Sequence, residues 1–325
     1  MLTRTLEIKL NGMEVGTTPM LVPAVSSRAN LELGKLIKTI REIVNGPFLM
    51  SAYDFYYYHK RMPIVDFPDL VFLDSGGYEC SKDKDITDIG LYNPEPEGWD
   101  AKLHEETLVQ WNSPIPTVIV SFDHPDMRED LSSQIYRANE LFAKKTRIVK
   151  EILIKPETRK MKYINIKGIK ACAASLSDFD VIGFTEKELG SSVLKRMINI
   201  AHVREILDDN CIEKPIHIFG SLDPVLTPLY YMAGADIFDG LSWLRFMYDN
   251  SNCLYVDSYG PKRFGIGEDT HEIWIKILTL NSIYLKRLKD IMIKFHVSKD
   301  FKLFGKNSKF YKHAVELLNE KVGGE

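Results

Sequence analysis

Cysteine is scarce in this chain of 325 residues: only Cys80, Cys172, Cys211 and Cys253, far apart and with no CxxC pair. A disulfide framework is therefore not expected, and the four read as buried or incidental thiols rather than metal ligands. Long hydrophobic runs are missing as well. No stretch approaches the ~20 apolar residues of a membrane span. The start, Met1-Leu2-Thr3-Arg4-Thr5-Leu6-Glu7, has no hydrophobic signal region. A cytoplasmic protein with no membrane partner is expected. No Pro-rich or Ser/Gly-rich linker, repeat or low-complexity tract divides the chain, so one domain over residues 1–325 is expected. Neither sign of charge dominates: the net of −3 argues neither for nor against nucleic acid.

What is present is an ordinary globular composition, 45% hydrophobic and 27% charged, enough for a sizeable core. Eight short apolar runs follow one another: residues 20–26, 48–53, 70–74, 117–123, 151–155, 180–184, 215–220 and 236–241. Helical stretches fit between most of them. Residues 30–44 place Leu31, Leu33, Leu36, Ile37, Ile40, Ile43 and Val44 at helical spacing, with Asn30 as cap. Residues 130–147, 191–209 and 223–232 read similarly, with Ser191 and Asp223 as caps and Pro224 at the first helical position. Continuous apolar strands alternating with helices indicate a parallel sheet covered on both faces. Eight such units indicate an α/β fold, a (β/α)8 TIM barrel.

Additions to the barrel are expected at four places. Residues 6–16 read as an N-terminal β-hairpin turning at Asn11-Gly12. Residues 76–113, after the third strand, are too long for a simple connection and read as a site-building insertion. Residues 246–267, rich in Asn, Ser, Gly and Tyr, read as a mobile loop. The C-terminal extension, residues 271–325, reads as helical, packing through Leu278, Ile283, Leu285, Leu288, Ile291 and Ile293.

Local charge is less even than the net. Residues 144–170 hold ten basic and two acidic residues, and residues 286–312 hold nine and two. These are either solvated helix faces or a phosphate-backbone footprint.

Three aspartates each end an apolar run: Asp74 before Ser75-Gly76-Gly77-Tyr78, Asp123 after Val120-Ser121-Phe122, and Asp239 after Ile237-Phe238. In a barrel such positions converge on one mouth, where active sites sit. Asp239 could act as a nucleophile toward an electrophilic carbon. Gly76 and Gly77 allow close backbone approach, and Tyr78 offers a flat stacking face. Asp123 could accept two parallel hydrogen bonds from an amidine-like edge such as that of guanine. His124 is a general base, a ligand or simply a supporting residue. Taken singly, each carboxylate also reads as a turn or helix cap.

In order, these motifs resemble the tRNA-guanine transglycosylase superfamily. The resemblance starts with Asp74-Ser75-Gly76-Gly77-Tyr78-Glu79 (the family's DSGGFQ) and Ser121-Phe122-Asp123, and continues with Ile182-Gly183 and His217-Ile218-Phe219-Gly220. It closes with Gly234-Ala235-Asp236-Ile237-Phe238-Asp239, Arg245 and Leu280-Asn281. It covers roughly residues 20–300. It implies that Asp239 attacks C1′ of a guanosine, that Asp74 manages the protons of the base, and that Asp123 reads the guanine edge with the Gly183 backbone nearby. Tyr78 would stack on the base, and Arg245 would touch the nucleic-acid backbone.

Departures from the pattern point to a branch. No cysteine follows Cys253, so the family's zinc group is not expected and no cofactor is implied. Lys155, in Ile154-Lys155-Pro156, stands where tRNA enzymes have a base-reading glutamine, and could read a 7-substituent or a phosphate. Glu79 also replaces a glutamine. These features resemble the DNA-acting branch, the DpdA-type 7-deazaguanine transglycosylases. Expected partners are DNA and a free 7-deazaguanine such as preQ0, with helper proteins that open the duplex as a further candidate. The alternatives are a tRNA transglycosylase without zinc, a non-catalytic nucleic-acid-binding paralogue, and an unrelated barrel enzyme acting on a phosphorylated small molecule.

Overall fold

A computed structural model describes residues 1–29, 32–81, 95–124 and 127–323. The expected cap Asn30 and part of the insertion after residue 76 lie outside them. The chain opens with strands β1 (Glu7–Leu10) and β2 (Met13–Thr17), paired antiparallel. Asn11 and Gly12 turn the hairpin with φ of 52° and 82°, the left-handed pair a tight two-residue turn requires.

Eight parallel strands follow: β3 (Met20–Pro23), β4 (Phe48–Ser51), β5 (Val71–Asp74), β6 (Thr117–Val120), β7 (Val149–Ile154), β8 (Val181–Thr185), β9 (Ile216–Phe219) and β10 (Ile237–Gly240). Each falls on one of the eight apolar runs. Their order in the sheet is β3-β10-β9-β8-β7-β6-β5-β4. A parallel bridge from Ala24 to Leu49 joins the two edges, and Val25 N–H donates to Leu49 C=O at 3.0 Å. The sheet is thus a nearly closed barrel with helices outside, consistent with the TIM-barrel class.

Side chains alternate across each strand. Leu21, Met50, Leu73, Ile119, Ile152, Ile182, Ile218 and Phe238 pack outward with the helices. Met20, Val22, Leu49, Phe72, Val118, Val149, Leu153, Val181, Phe219 and Ile237 fill the barrel. Ile8 belongs to this inner cluster, with Leu10 and Val15 packed against it, so the hairpin floors the barrel where its strands begin. The same alternation turns Glu151 (between Val149 and Leu153), Gly183, His217, Asp74 and Asp239 inward.

Caps set several outer helices. Asp130 accepts from Ser133 N–H at 3.0 Å ahead of Leu131–Ala143. For Val193–Asp209 the cap is Ser192, not Ser191, accepting from Lys195 N–H. Asp223 accepts from Val225 and Leu226 N–H as expected, although the regular helix, Leu226–Ala233, starts after Pro224 rather than at it.

Two expectations are corrected. Residues 246–267 are regular: β11 (Phe246–Asp249) and β12 (Asn252–Tyr255) form a hairpin, followed by a helix over Val256–Phe264. Asn250 and Ser251 adopt positive φ at its turn, and Met247 is buried against Ile273 and Ile277. In the long helix Thr270–Ser298 the buried stripe is Ile273, Ile277, Leu278, Asn281, Leu285, Leu288, Met292 and Phe295, whereas Ile283 and Ile293 are exposed. Asn281 hides the periodicity: a polar residue, it is buried because it bonds Trp243 C=O, Phe246 C=O and Tyr248 N–H. Finally, β7 runs through the first basic stretch and splits it. Lys144, Lys145 and Arg147 precede the strand at the floor end; Arg159, Lys160 and Lys162 follow it at the mouth end. The second stretch includes Lys299, whose Nζ meets Thr3 Oγ1, and His296, 2.9 Å from Thr3 C=O, beside the floor. Among the described residues no helix is long and apolar enough to cross a membrane.

Candidate active site

The strand-end carboxylates Asp74 and Asp239 point into the mouth from β5 and β10, and Asp123 follows β6. Asp74 is buried. Its carboxyl is pushed well above the usual range, first by burial and then by the neighbouring Asp123, Glu79 and Asp239. Asp123 and Asp239 are thus electrostatic neighbours of Asp74, and the upward push favours the protonated form of its carboxyl.

The glycines after Asp74 shape this corner. Gly76 has φ of 90°, and a Cβ there would meet Tyr53 Cβ at 2.6 Å. A Cβ on Gly77 would stand 2.6 Å from both carboxylate oxygens of Asp123. The close approach the pair permits is therefore to the protein's own Asp123. Ser75 Oγ donates to Asp123 Oδ1. The insertion closes over the turn: Trp99 Nε1 donates to Ser75 C=O at 2.9 Å, and Glu97 N–H donates to Tyr53 Oη at 2.8 Å. Behind it, Glu79 accepts from Ser26 Oγ.

Lys155, just past β7, faces Asp123. Its Nζ lies 3.5 Å from Asp123 Oδ2, 2.7 Å from Glu188 Oε2 and 2.9 Å from Thr185 Oγ1. Arg128 holds the other oxygen of Glu188 at 3.2 Å. Asp123, His124, Arg128 and Lys155 line a cleft of about 1100 Å³ shared with residues of the helices Ala101–Gln110 and Leu131–Ala143, and Asp74 and Asp239 do not line it.

Asp239 is held from two sides. Gly220 N–H donates to its Oδ1 at 3.0 Å, and His217 Nε2 stands 3.3 Å from the same oxygen. His217 Nδ1 is 2.7 Å from Glu151 Oε1. Burial disfavours a charge on His217, but Glu151 and Asp239 outweigh it and raise the imidazole to about 9. The ring stacks on Phe219, with centroids 3.9 Å apart. Sequence reading passed over both Glu151 and His217. The available signal was a titratable residue, Glu151 or His217, next to the apolar residues of two barrel runs.

Other expected site residues have partners of their own. Arg28, buried, lies 4.4 Å above the Tyr78 ring and bonds the Tyr78 carbonyl, so one face of the tyrosine is covered. Arg245 Nη2 donates to Tyr78 Oη at 3.2 Å, which ties Arg245 to the mouth. Gly183 faces the barrel interior, where a Cβ would meet Phe219 Cε2 at 2.7 Å and Glu151 Oε1 at 2.9 Å. His124 follows Asp123, its ring 6.4 Å from that of Phe122. No protein-family model matches the chain, and no curated protein matches it.

Proposed function

We propose that the chain is a base-exchange transglycosylase, replacing guanine in DNA with a 7-deazaguanine such as preQ0 through a covalent glycosyl–aspartate intermediate. The observation that carries this reading is the proton-holding Asp74 in electrostatic reach of Asp239, a carboxylate anchored by Gly220 N–H. One acid that keeps its proton beside another fixed in place is what a displacement with a protonated leaving group requires.

The steps balance. A guanosine leaves the duplex stack at a cost of a few kcal/mol. The second oxygen of Asp239 attacks C1′, the C1′–N9 bond breaks, and guanine leaves with the proton of Asp74. The incoming 7-deazaguanine then gives its N9 proton to Asp74, and N9 attacks C1′ to expel Asp239. Asp74 ends as it began. Asp123 takes the guanine edge, the uncovered face of Tyr78 stacks on the base, and Lys155 offers a proton to a 7-substituent. Arg245 and the mouth-end Arg159, Lys160 and Lys162 supply phosphate contacts.

The test supplies labelled preQ0 with duplex DNA in one arm and tRNA in the other. Label is expected in DNA. Asp239→Ala is expected to abolish both incorporation and the trapped covalent adduct. Label in tRNA alone would move the reading to the tRNA enzyme. Exchange by Asp239→Ala near the wild-type rate would overturn the mechanism.

A further inference from the structure

Inside the barrel lies a row of buried polar groups that ends in Asp239, and the reaction above does not use the two behind it. Glu151 comes from β7, His217 from β9 and Asp239 from β10, and the first two are completely buried. The ring of His217 bridges two carboxylates, 2.7 Å from Glu151 and 3.3 Å from Asp239. With both carboxyls ionised they can only accept, so both ring nitrogens carry hydrogen; burial pushes the Glu151 carboxyl up while the charge on His217 pulls it back, and the Nε2–Asp239 approach is a charge contact rather than a hydrogen bond. Gly183 makes room for this row, since a side chain there would run into Glu151 and Phe219. Phe219 on one side and Phe72, 5.4 Å away, on another fix the ring plane. Glu151 among the apolar side chains of the inner cluster has no packing advantage, and an unpaired buried carboxylate is costly. Its contact with His217 gives it a reason to be there.

We infer that His217 is a positioning residue: an imidazolium clamped between Glu151 and Asp239, holding the Asp239 carboxylate in place and aimed at the mouth. Glu151 supplies the charge that keeps the ring protonated, and Gly220 N–H fixes the same oxygen of Asp239 from the other side. The role of Asp239 as nucleophile rests on the proposed function; the charge state of the ring does not. The charged groups facing the ring are Glu151 from β7 and Asp239 from β10, with Asp74 of β5 beyond Asp239.

Two measurements test this separately. In nitrogen-15 histidine NMR of the whole protein, both ring nitrogens of His217 should stay protonated up to about pH 9. The ring should lose its proton at lower pH in Asp239→Asn and in Glu151→Gln. A neutral imidazole at neutral pH in the wild type would overturn the inference, whatever the protein does to nucleic acids. In base exchange, His217→Gln should lower kcat on the order of 10²-fold with KM nearly unchanged, the scale of a misplaced reacting group. Glu151→Gln should move the alkaline limb of the rate to lower pH, which a merely structural contact would not do. Circular dichroism confirms that the variants fold. If His217→Gln exchanges base at the wild-type rate, the positioning role fails while the exchange reading stands. If the wild type exchanges no base, the exchange reading fails and the titration still decides the state of the ring.

Discussion

Glu79 sits behind the Asp74 corner against Ser26, with Asp54 as its acidic neighbour. Burial and then Asp54 raise its carboxyl to about 8, and burial raises Asp54 to about 6. A protonated glutamic acid has nearly the shape of glutamine, the residue that the resembled family carries here. The departure at Glu79 is therefore mild at neutral pH. It has a stability consequence whose sign is fixed. Unfolded, the carboxyl titrates near its ordinary 4.5; folded, near 8. Between these values the native state holds a proton that the unfolded chain has released, so stability is full below about pH 4.5 and declines as pH rises toward about 8. Glu79→Gln should flatten that decline and leave the variant more stable than wild type at alkaline pH. Urea melts of both proteins at mildly acidic and alkaline pH check it; parallel curves would show that Glu79 holds no proton.

Among the elements, the barrel strands were the easiest to read, because each is apolar on both faces and therefore forms a continuous run. The β1–β2 hairpin was equally legible, since Asn-Gly specifies its turn chemically. Gly12→Val should destabilise the protein by about 1–2 kcal/mol, the cost of a side chain in the left-handed region. No atom lies near the added Cβ, so the loss is conformational and not a clash. Gly12→Asn should be much milder, and denaturant melts of the two variants separate the causes. Legibility failed where a polar residue serves the core. Asn281 broke the stripe of the long helix in sequence while completing it in space. Glu151 stands at the start of an apolar run in sequence but within β7 in space, where it meets His217. The three aspartates were visible because strand ends are marked by turn residues. Which charged groups stand behind them depends on which strands are neighbours, and no local pattern carries that.

For the whole molecule, polar chemistry is concentrated at two levels of the barrel. Arg204 is completely buried near the floor, bonded to Asp236, to Gly234 C=O at 3.1 Å and to Lys214 C=O at 2.9 Å. Asp236 also accepts from Ile216 N–H at 2.8 Å, so the pair ties the starts of β9 and β10 to the outer helix Val193–Asp209. Arg204→Met leaves Asp236 buried without its cation and should cost about 3–5 kcal/mol of stability. Activity per folded molecule should hold, because the mouth lies at the opposite end. Thermal melts paired with rate measurements well below the melt check both halves, and a lost rate with unchanged melting would contradict this separation. The hairpin floor has a further consequence for traffic. With Ile8 plugging one end, the barrel opens only at its mouth, so any molecule that reaches the strand-end carboxylates enters and leaves on the same side.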